Sequence, residues 1–354
     1  MNRPPQAGPS DNIAEQVVAW QAVHGRNSLP WQNTCDPYRV WLSEIMLQQT
    51  QVATVVGYFT RFVDALPTVQ ALASARLDEV LGLWSGLGYY SRARNLHRCA
   101  QDVVLLHGGA FPRSAAVLES LPGIGRSTAA AISSLCFGER VAILDANVKR
   151  VVTRLLGFDG DLAVAAQERR LWDAATDLLP HPRIAAQFMA RYTQGMMDLG
   201  ATVCLPKKPM CLVCPLQVDC RAHADGDPQR YPVRTRKLKR SSQSIWLLWA
   251  QSLDGAVWLS ARPTPGVWAG LQCFPLFASE TDLLSAVPPS LRPALQPQDT
   301  FVHVLTHKDL HLHVWILKLD RFADFGALGG QWVAADQWPA MGLPAPIRKL
   351  LVRT

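Results

Sequence analysis

The sequence of 354 residues contains no apolar run near the ~20 residues that a membrane-spanning helix requires. The first ten residues also lack the apolar stretch of a secretory signal, so a cytoplasmic protein with no membrane partner is expected. Charge is scarce, at 18% of residues against 49% hydrophobic, which excludes a disordered chain. A chain of this length can build two cores. No internal repeat or low-complexity tract interrupts it. Acidic residues are missing from 230–240, where six basic ones gather: Arg230, Arg234, Arg236, Lys237, Lys239 and Arg240. With a net charge of +7, that run suits a polyanionic partner or simply adds solubility. Residues 243–354 hold one glutamate, Glu280.

The first two thirds read as successive helices. Tyr38, Trp41, Leu42 and Ile45 follow Asp36-Pro37 at helical spacing, with Asp a good cap and Pro a good first helical residue. If that helix continues, Glu44, Gln48 and Gln51 share a second face. Val148, Val151, Val152 and Leu155 form another stripe that Asp145 opens. Past a polar segment the texture changes. Strands are expected over 244–250, 256–261, 301–305 and 310–317, and short helices over 281–287 and 345–352. The expected organisation is a mainly α region over 1–225, a basic linker over 226–242 and a smaller α+β domain over 243–354.

Three features carry chemistry. Cys204, Cys211, Cys214 and Cys220 lie within 17 residues, spaced Cys-x6-Cys-x2-Cys-x5-Cys. Without a secretion signal they read as a metal or cluster site rather than disulfides. Four-cysteine zinc sites are common, but only one close Cys-x2-Cys pair is present, so the spacing favours [4Fe–4S] over zinc. Second, Leu121-Pro122-Gly123-Ile124-Gly125-Arg126-Ser127-Thr128 leads into an alanine-rich helix, a turn whose amides can hold a phosphate. Third, Glu44 stands among apolar residues, where desolvation raises a carboxyl pKa toward general-acid use. Asp145 is a cap by default, but a carboxylate of its kind can also stabilise a sugar cation. Spacing does not decide whether the two acids meet.

Together these segments resemble the adenine-specific members of the helix-hairpin-helix DNA glycosylase superfamily, of the MutY type. The resemblance rests on Leu29-Pro30-Trp31, the stretch from Trp41-Leu42-Ser43-Glu44 to Gln48-Gln49-Thr50-Gln51-Val52, Gly86-Leu87-Gly88-Tyr89-Tyr90, the 121–128 hairpin, Leu144-Asp145-Ala146-Asn147-Val148-Lys149-Arg150, Met196-Met197-Asp198-Leu199-Gly200 and the four bunched cysteines. It implies a helix-hairpin-helix glycosylase with an iron–sulfur subdomain and a smaller, Nudix-like C-terminal domain. The implied partner is duplex DNA bearing adenine opposite 8-oxoguanine or guanine; for oligomeric state a monomer is the default expectation.

The resemblance also implies roles. Glu44 protonates adenine, Asp145 stabilises the sugar cation, and Asn147 supports Asp145. Arg26, Trp31 and Gln194 line the adenine pocket. Gln48, Gln49 and Tyr89 enter the base stack, while Gly123, Gly125, Ser127 and Lys149 contact DNA. The cysteines hold a [4Fe–4S] cluster. Thr306 and His307 read 8-oxoguanine, within Leu305-Thr306-His307 where the family usually has Phe-Ser-His. Ala146 replaces a common glycine. The related endonuclease III type carries a lysine nucleophile where this chain has Ser127, so a monofunctional enzyme is expected. A lone glutamate in the C-terminal part leaves too few ligands for Nudix hydrolysis. His303, His307, His311 and His313 read as strand residues rather than metal ligands.

Overall fold

The computed structural model describes residues 9–235 and 240–352, apart from positions 321, 324, 326 and 327. Arg236, Lys237 and Lys239 of the basic run lie outside the described residues. Two compact units are present. The first holds the chain up to Val63, then Pro67–Ala73 and Arg98–Lys237. The second holds Asp64–Leu66, Ser74–His97 and the chain from Leu238 onward. The segment carrying Gly86-Leu87-Gly88-Tyr89-Tyr90 thus packs with the C-terminal residues.

The helices in chain order are α1 (Pro9–His24), α2 (Pro37–Leu47), α3 (Val52–Ala65), α4 (Val69–Ser74), α5 (Leu77–Leu83), α6 (Ser91–His107), α7 (Ala115–Leu118), α8 (Arg126–Phe137), α9 (Ala146–Leu156), α10 (Ala165–Asp177), α11 (Pro182–Thr202) and α12 (Arg221–Ala224). In the first unit, α11 packs against α1, α8 and α9. Their shared core includes Val17, Ala130, Leu144, Val151, Met189 and Leu199. Close approach explains the glycine that ends the Met196–Gly200 motif. A Cβ on Gly200 would lie 2.7 Å from the Asn147 Cβ and 2.9 Å from its carbonyl oxygen.

The expected start of α2 is observed. Asp36 caps it by accepting from the Tyr38 amide (2.9 Å), and Pro37 opens it. Its end was left open by the sequence. The helix stops at Leu47, because Gln48 is extended (ψ 114°) and Gln49 is left-handed (φ 55°). The Thr50 amide then turns back to the Leu47 carbonyl (3.2 Å). Gln48 and Gln51 therefore do not continue the helical face of Glu44.

Part of the expected linker is docked on the first unit. Tyr231 is buried. The Leu162 amide donates to the Val233 carbonyl (3.1 Å), and the Thr235 amide donates to Asp161 (3.2 Å).

The second unit contains β1 (Ser241–Ser252), β2 (Val257–Ala261), β3 (Gln272–Cys273), β4 (Leu276–Phe277), α13 (Glu280–Ala286), β5 (Leu295–Pro297), β6 (Phe301–Val304), β7 (Lys308–Leu319), β8 (Gln331–Val333) and α14 (Ala345–Val352). The mixed sheet runs β3-β2-β1-β7-β5, with β1 and β7 parallel in register Ser241↔Lys308. Period-two alternation buries both faces of β1. Ile245, Leu247 and Trp249 pack with Ile347 and Leu351 of α14, while Leu248 and Ala250 pack with Leu283 of α13. A helix on each face accounts for the near-continuous apolar strands.

Candidate active site and cysteine site

Glu44 sits near the end of α2, a helix otherwise anchored by buried Trp41, Leu42, Ile45 and Met46. That packing turns its carboxyl into a cavity of about 40 Å³, lined also by Arg26, Trp31, Leu135, Gln194 and Met197. Such a volume holds a few water molecules. Loss of water pushes the Glu44 pKa up from 4.5 to about 7, and the charge of Asp145 adds to the rise while Arg26 opposes it. Asp145 lies at the N-cap of α9, where its carboxylate accepts from the Val148 amide (2.7 Å). Burial raises its pKa too, against the lowering pull of the Val148 and Asn147 amides and of Arg150 and Arg26. The two acids, 101 positions apart in the chain, are thus electrostatic neighbours, with Arg26 within reach of both.

Sequence reasoning assigned no part to Asp198, which holds the cavity wall together. Its fully buried carboxylate accepts from the Arg26 amide (3.1 Å), the Arg26 Nε (2.8 Å) and the Gln194 Nε2 (2.9 Å). The available signal was its place in the Met196–Gly200 motif, one helical turn past Gln194. Trp31 is buried edge-on against Phe59, with ring centroids 5.4 Å apart. Asn147 accepts from Arg150 (2.9 Å). Ala146 is exposed, so its methyl crowds nothing inside the fold.

The hairpin meets α8 at Gly125, which caps that helix without a side chain, and a Cβ there would meet no atom within 4 Å. Gly123 is left-handed (φ 78°), a conformation that only glycine adopts without strain. The Ser127 hydroxyl accepts from the Leu144 amide (3.2 Å), tying the hairpin to the residue before Asp145. Gln48 reaches Thr128 (Nε2 to Oγ1, 3.5 Å). The Lys149 ammonium pairs with Glu168 of α10.

In the second unit, Tyr89 is left-handed (φ 49°), like Gln49 in the first. Non-glycine residues held this way concentrate at functional sites. The Tyr89 and Thr306 hydroxyls hydrogen-bond across a cleft of about 650 Å³ that Trp268, His303 and His307 also line. Arg240, from the basic run, is committed to Asp309 and to the Thr306 carbonyl. His313 stacks on Trp246 at 4.4 Å, and His303 lies beside Trp268 at 6.0 Å.

Cys204, Cys211, Cys214 and Cys220 line one small cavity, with Val203, Pro209 and Pro228 as apolar wall. Burial, and then the neighbouring thiols, raise Cys214 to about 11 and raise Cys220 as well. Among the described residues, no three His, Cys, Asp or Glu side chains converge as they would around a metal ion. Buried Arg154 of α9 reaches into this loop. It donates to the Cys204 sulfur (3.4 Å) and to the Leu205 (2.7 Å), Pro206 (3.1 Å) and Tyr231 (3.3 Å) carbonyls, while the Cys220 thiol donates to the Arg154 carbonyl (3.4 Å). Arg150 donates to the Gly200 carbonyl and to that of Cys204 (2.6 Å). Helix α9 therefore carries Asp145 at its start and touches the cysteine loop from Arg150 and Arg154, five and nine residues later.

Comparison with known proteins gives a consistent result. Residues 42–175 match the HhH-GPD superfamily of base excision DNA repair proteins, and residues 245–353 match the NUDIX domain. The adenine DNA glycosylase of Buchnera aphidicola from Acyrthosiphon pisum is 34% identical over 343 residues, covering 96% of each chain. That of Rattus norvegicus is 45% identical over 216 residues, covering 58% of this chain and 41% of the relative. Among solved structures, a thermostable thymine-DNA glycosylase superposes with a TM-score of 0.53 at 26% identity, over 61% of this chain and 97% of the other. The match to the Buchnera protein runs through both units, which places this chain in the family of adenine DNA glycosylases, with an HhH-GPD region followed by a Nudix-like domain.

Proposed function

We propose that this enzyme hydrolyses the N-glycosidic bond of adenine mispaired with 8-oxoguanine or guanine in duplex DNA, and that it is monofunctional. The observation that carries the reading is Glu44, raised to about 7 and facing a cavity whose wall is Arg26, Trp31 and Gln194. Adenine inside a duplex is out of reach, so it must be flipped at a cost of a few kcal/mol. The cavity is water-sized and has to widen as the base enters. The Arg26 guanidinium and Gln194 amide, both set by Asp198, then hold the base.

Glu44 gives its proton to a ring nitrogen, so that adenine leaves neutral rather than as an anion. The glycosidic electrons depart with the base and leave a cationic sugar, which the Asp145 carboxylate stabilises or bonds transiently. A water molecule adds to C1′ and its proton returns to Glu44. Asn147 supports Asp145. Gln48, Gln49 and Tyr89 fill the vacated stack, and the Gly123, Gly125 and Ser127 hairpin and Lys149 engage phosphates. Thr306 and His307 read 8-oxoguanine from the second unit, with Leu305 replacing the usual aromatic.

The thiols of Cys204, Cys211, Cys214 and Cys220 are soft donors that line one small cavity, the donor type a [4Fe–4S] cluster takes, and they would have to draw together to hold it. When bound, the cluster would cross-link the loop that Arg150 and Arg154 join to α9. The protein is read as a cytoplasmic monomer, nucleoid-associated if bacterial.

The test is single-turnover adenine release from a duplex with one adenine:8-oxoguanine pair, with and without alkali. Strand cleavage only after alkali fits the proposal. Cleavage without alkali means a lyase, and no release from iron-loaded protein refutes the adenine reading.

A further inference from the structure

Tyr89 presents an aromatic ring to solvent, 41% exposed, from a left-handed backbone (φ 49°). A buried arginine stands behind it. Arg92, in the first turn of α6, is 9% exposed. Its guanidinium carbon lies 5.3 Å from the centre of the Trp84 ring and 5.4 Å from that of Tyr89. Its Nη2 donates to the Gly88 carbonyl (3.2 Å) and, at the limit of hydrogen-bond length, to that of Leu87 (3.5 Å). Its amide donates to the Tyr89 carbonyl (2.9 Å). Fully buried Trp84 donates to the same Gly88 carbonyl (3.1 Å). Arg92 therefore grips three successive residues, 87–89, and the ring of the last. Burial lowers its pKa to about 10 and Tyr89 opposes the fall, so the charge persists at neutral pH. A buried cation costs desolvation that an apolar side chain would not, and here it secures one loop and one exposed ring.

We infer that Arg92 is a positioning residue for mispair recognition: it orders the Tyr89 ring before DNA arrives, so that the ring enters the base stack as a preformed wedge. The inference rests on the stack-filling role proposed for Tyr89 above and deepens it. A ring free to rotate loses that freedom when bases close on it, and the loss weakens binding. A ring already ordered avoids it. Two contacts order this one, the Arg92 guanidinium over the ring and the Thr306 hydroxyl at the phenol oxygen. The hydroxyl pair is exposed to water, whereas a cation–π contact gains strength when its cation is desolvated. Lysine is no substitute, because an ammonium has neither a planar face nor a rigid fork of donors. An undamaged duplex offers no gap for the ring, so Arg92 bears on the preference for a mispair and not on phosphate contacts.

The experiment measures the affinity of the full chain for two duplexes, one undamaged and one with 8-oxoguanine opposite 2′-fluoroadenosine, whose base is not released. Adenine release is followed in parallel on the cleavable mispair and tests the function itself. Arg92→Lys is expected to lower the preference for the mispaired duplex by roughly three- to tenfold, the range for ordering one side chain on binding, with affinity for undamaged duplex unchanged. Arg92→Gln, which can still donate to the loop carbonyls, should do the same and serves as the second variant if lysine disturbs the fold in urea unfolding. Tyr89→Leu should lower the preference at least as much. Adding Arg92→Lys to Tyr89→Leu should then change nothing further, because a residue that acts through Tyr89 has no effect without it. An unchanged preference in both Arg92 variants overturns the inference. So does an equal loss of affinity for both duplexes, and so does a fall of the same size in the Tyr89→Leu background, since either makes Arg92 merely structural. An unchanged preference in Tyr89→Leu removes Tyr89 from the stack and the inference with it, while adenine release reports separately on base removal.

Discussion

Glu44→Gln removes the titrating group while keeping its shape, and it should improve stability as it destroys activity. A rise in pKa from 4.5 to about 7 corresponds to about 3 kcal/mol. Glu44 is mostly buried but keeps some exposure as a residue, and solvent screening brings the working figure to roughly 2 kcal/mol. The sign follows from proton binding. Between pH 4.5 and about 7 the folded state keeps a proton that the unfolded chain has released, so wild-type stability declines across that window and levels off above it. The variant lacks this decline. At pH 8 it should be the more stable protein by roughly 2 kcal/mol in urea unfolding, with the difference nearly gone at pH 4.5. Single-turnover adenine release should fall at least ~10²-fold, the usual worth of a general acid. In the wild type, release should decline as pH rises above about 7, where the acid form is lost. A variant with no stability gain at pH 8 would refute the buried-acid assignment, and release within tenfold of wild type would remove Glu44 as the acid.

Asp145→Asn removes a negative charge that raises Glu44, so the residual rate should lose its alkaline limb at lower pH than in the wild type; an unmoved limb in a pH–rate series would contradict the coupling. Asp198→Asn weakens three hydrogen bonds around Arg26 and Gln194 and should cost about 2–3 kcal/mol in urea unfolding, with weaker retention of adenine-containing duplex. Arg154→Leu leaves the Leu205, Pro206 and Tyr231 carbonyls without their guanidinium donor. It should lower iron content after purification and destabilise the fold by about 3 kcal/mol, read by iron assay and urea unfolding. Duplex binding should weaken steeply with salt, and replacing Lys149 by Ala should reduce the slope of log affinity against log salt by about one.

Local pattern was a good guide wherever neighbours in sequence did the work. The Asp36 cap, the α9 stripe and the apolar strands all follow from spacing and side-chain type, and they were legible. Whether α2 runs on to Gln48 and Gln51 was left open, because their helical spacing competes with a turn. The left-handed Gln49 and the Leu47–Thr50 bond end α2, and neither leaves a signature in residue type. Tyr231–Thr235 looked like free linker because polar composition does not show that Asp161 and Leu162 bind it. Asp198 looked like an ordinary motif residue because two of its three donors come from Arg26, 172 positions away.

By itself, the sequence determined the two-part fold class, the family, and which residues carry acids, thiols and phosphate-sized turns. Those properties depend on side-chain chemistry and periodicity, which are local. Tertiary structure alone decided that Glu44 and Asp145 feel each other's charge, that Asp198 rather than solvent satisfies Arg26, that residues 74–97 join the C-terminal unit, and that the amine of Lys149 is held by Glu168. Each of these depends on distance through space, and a raised pKa or an ion pair exists only once folding has removed water and brought remote charges together.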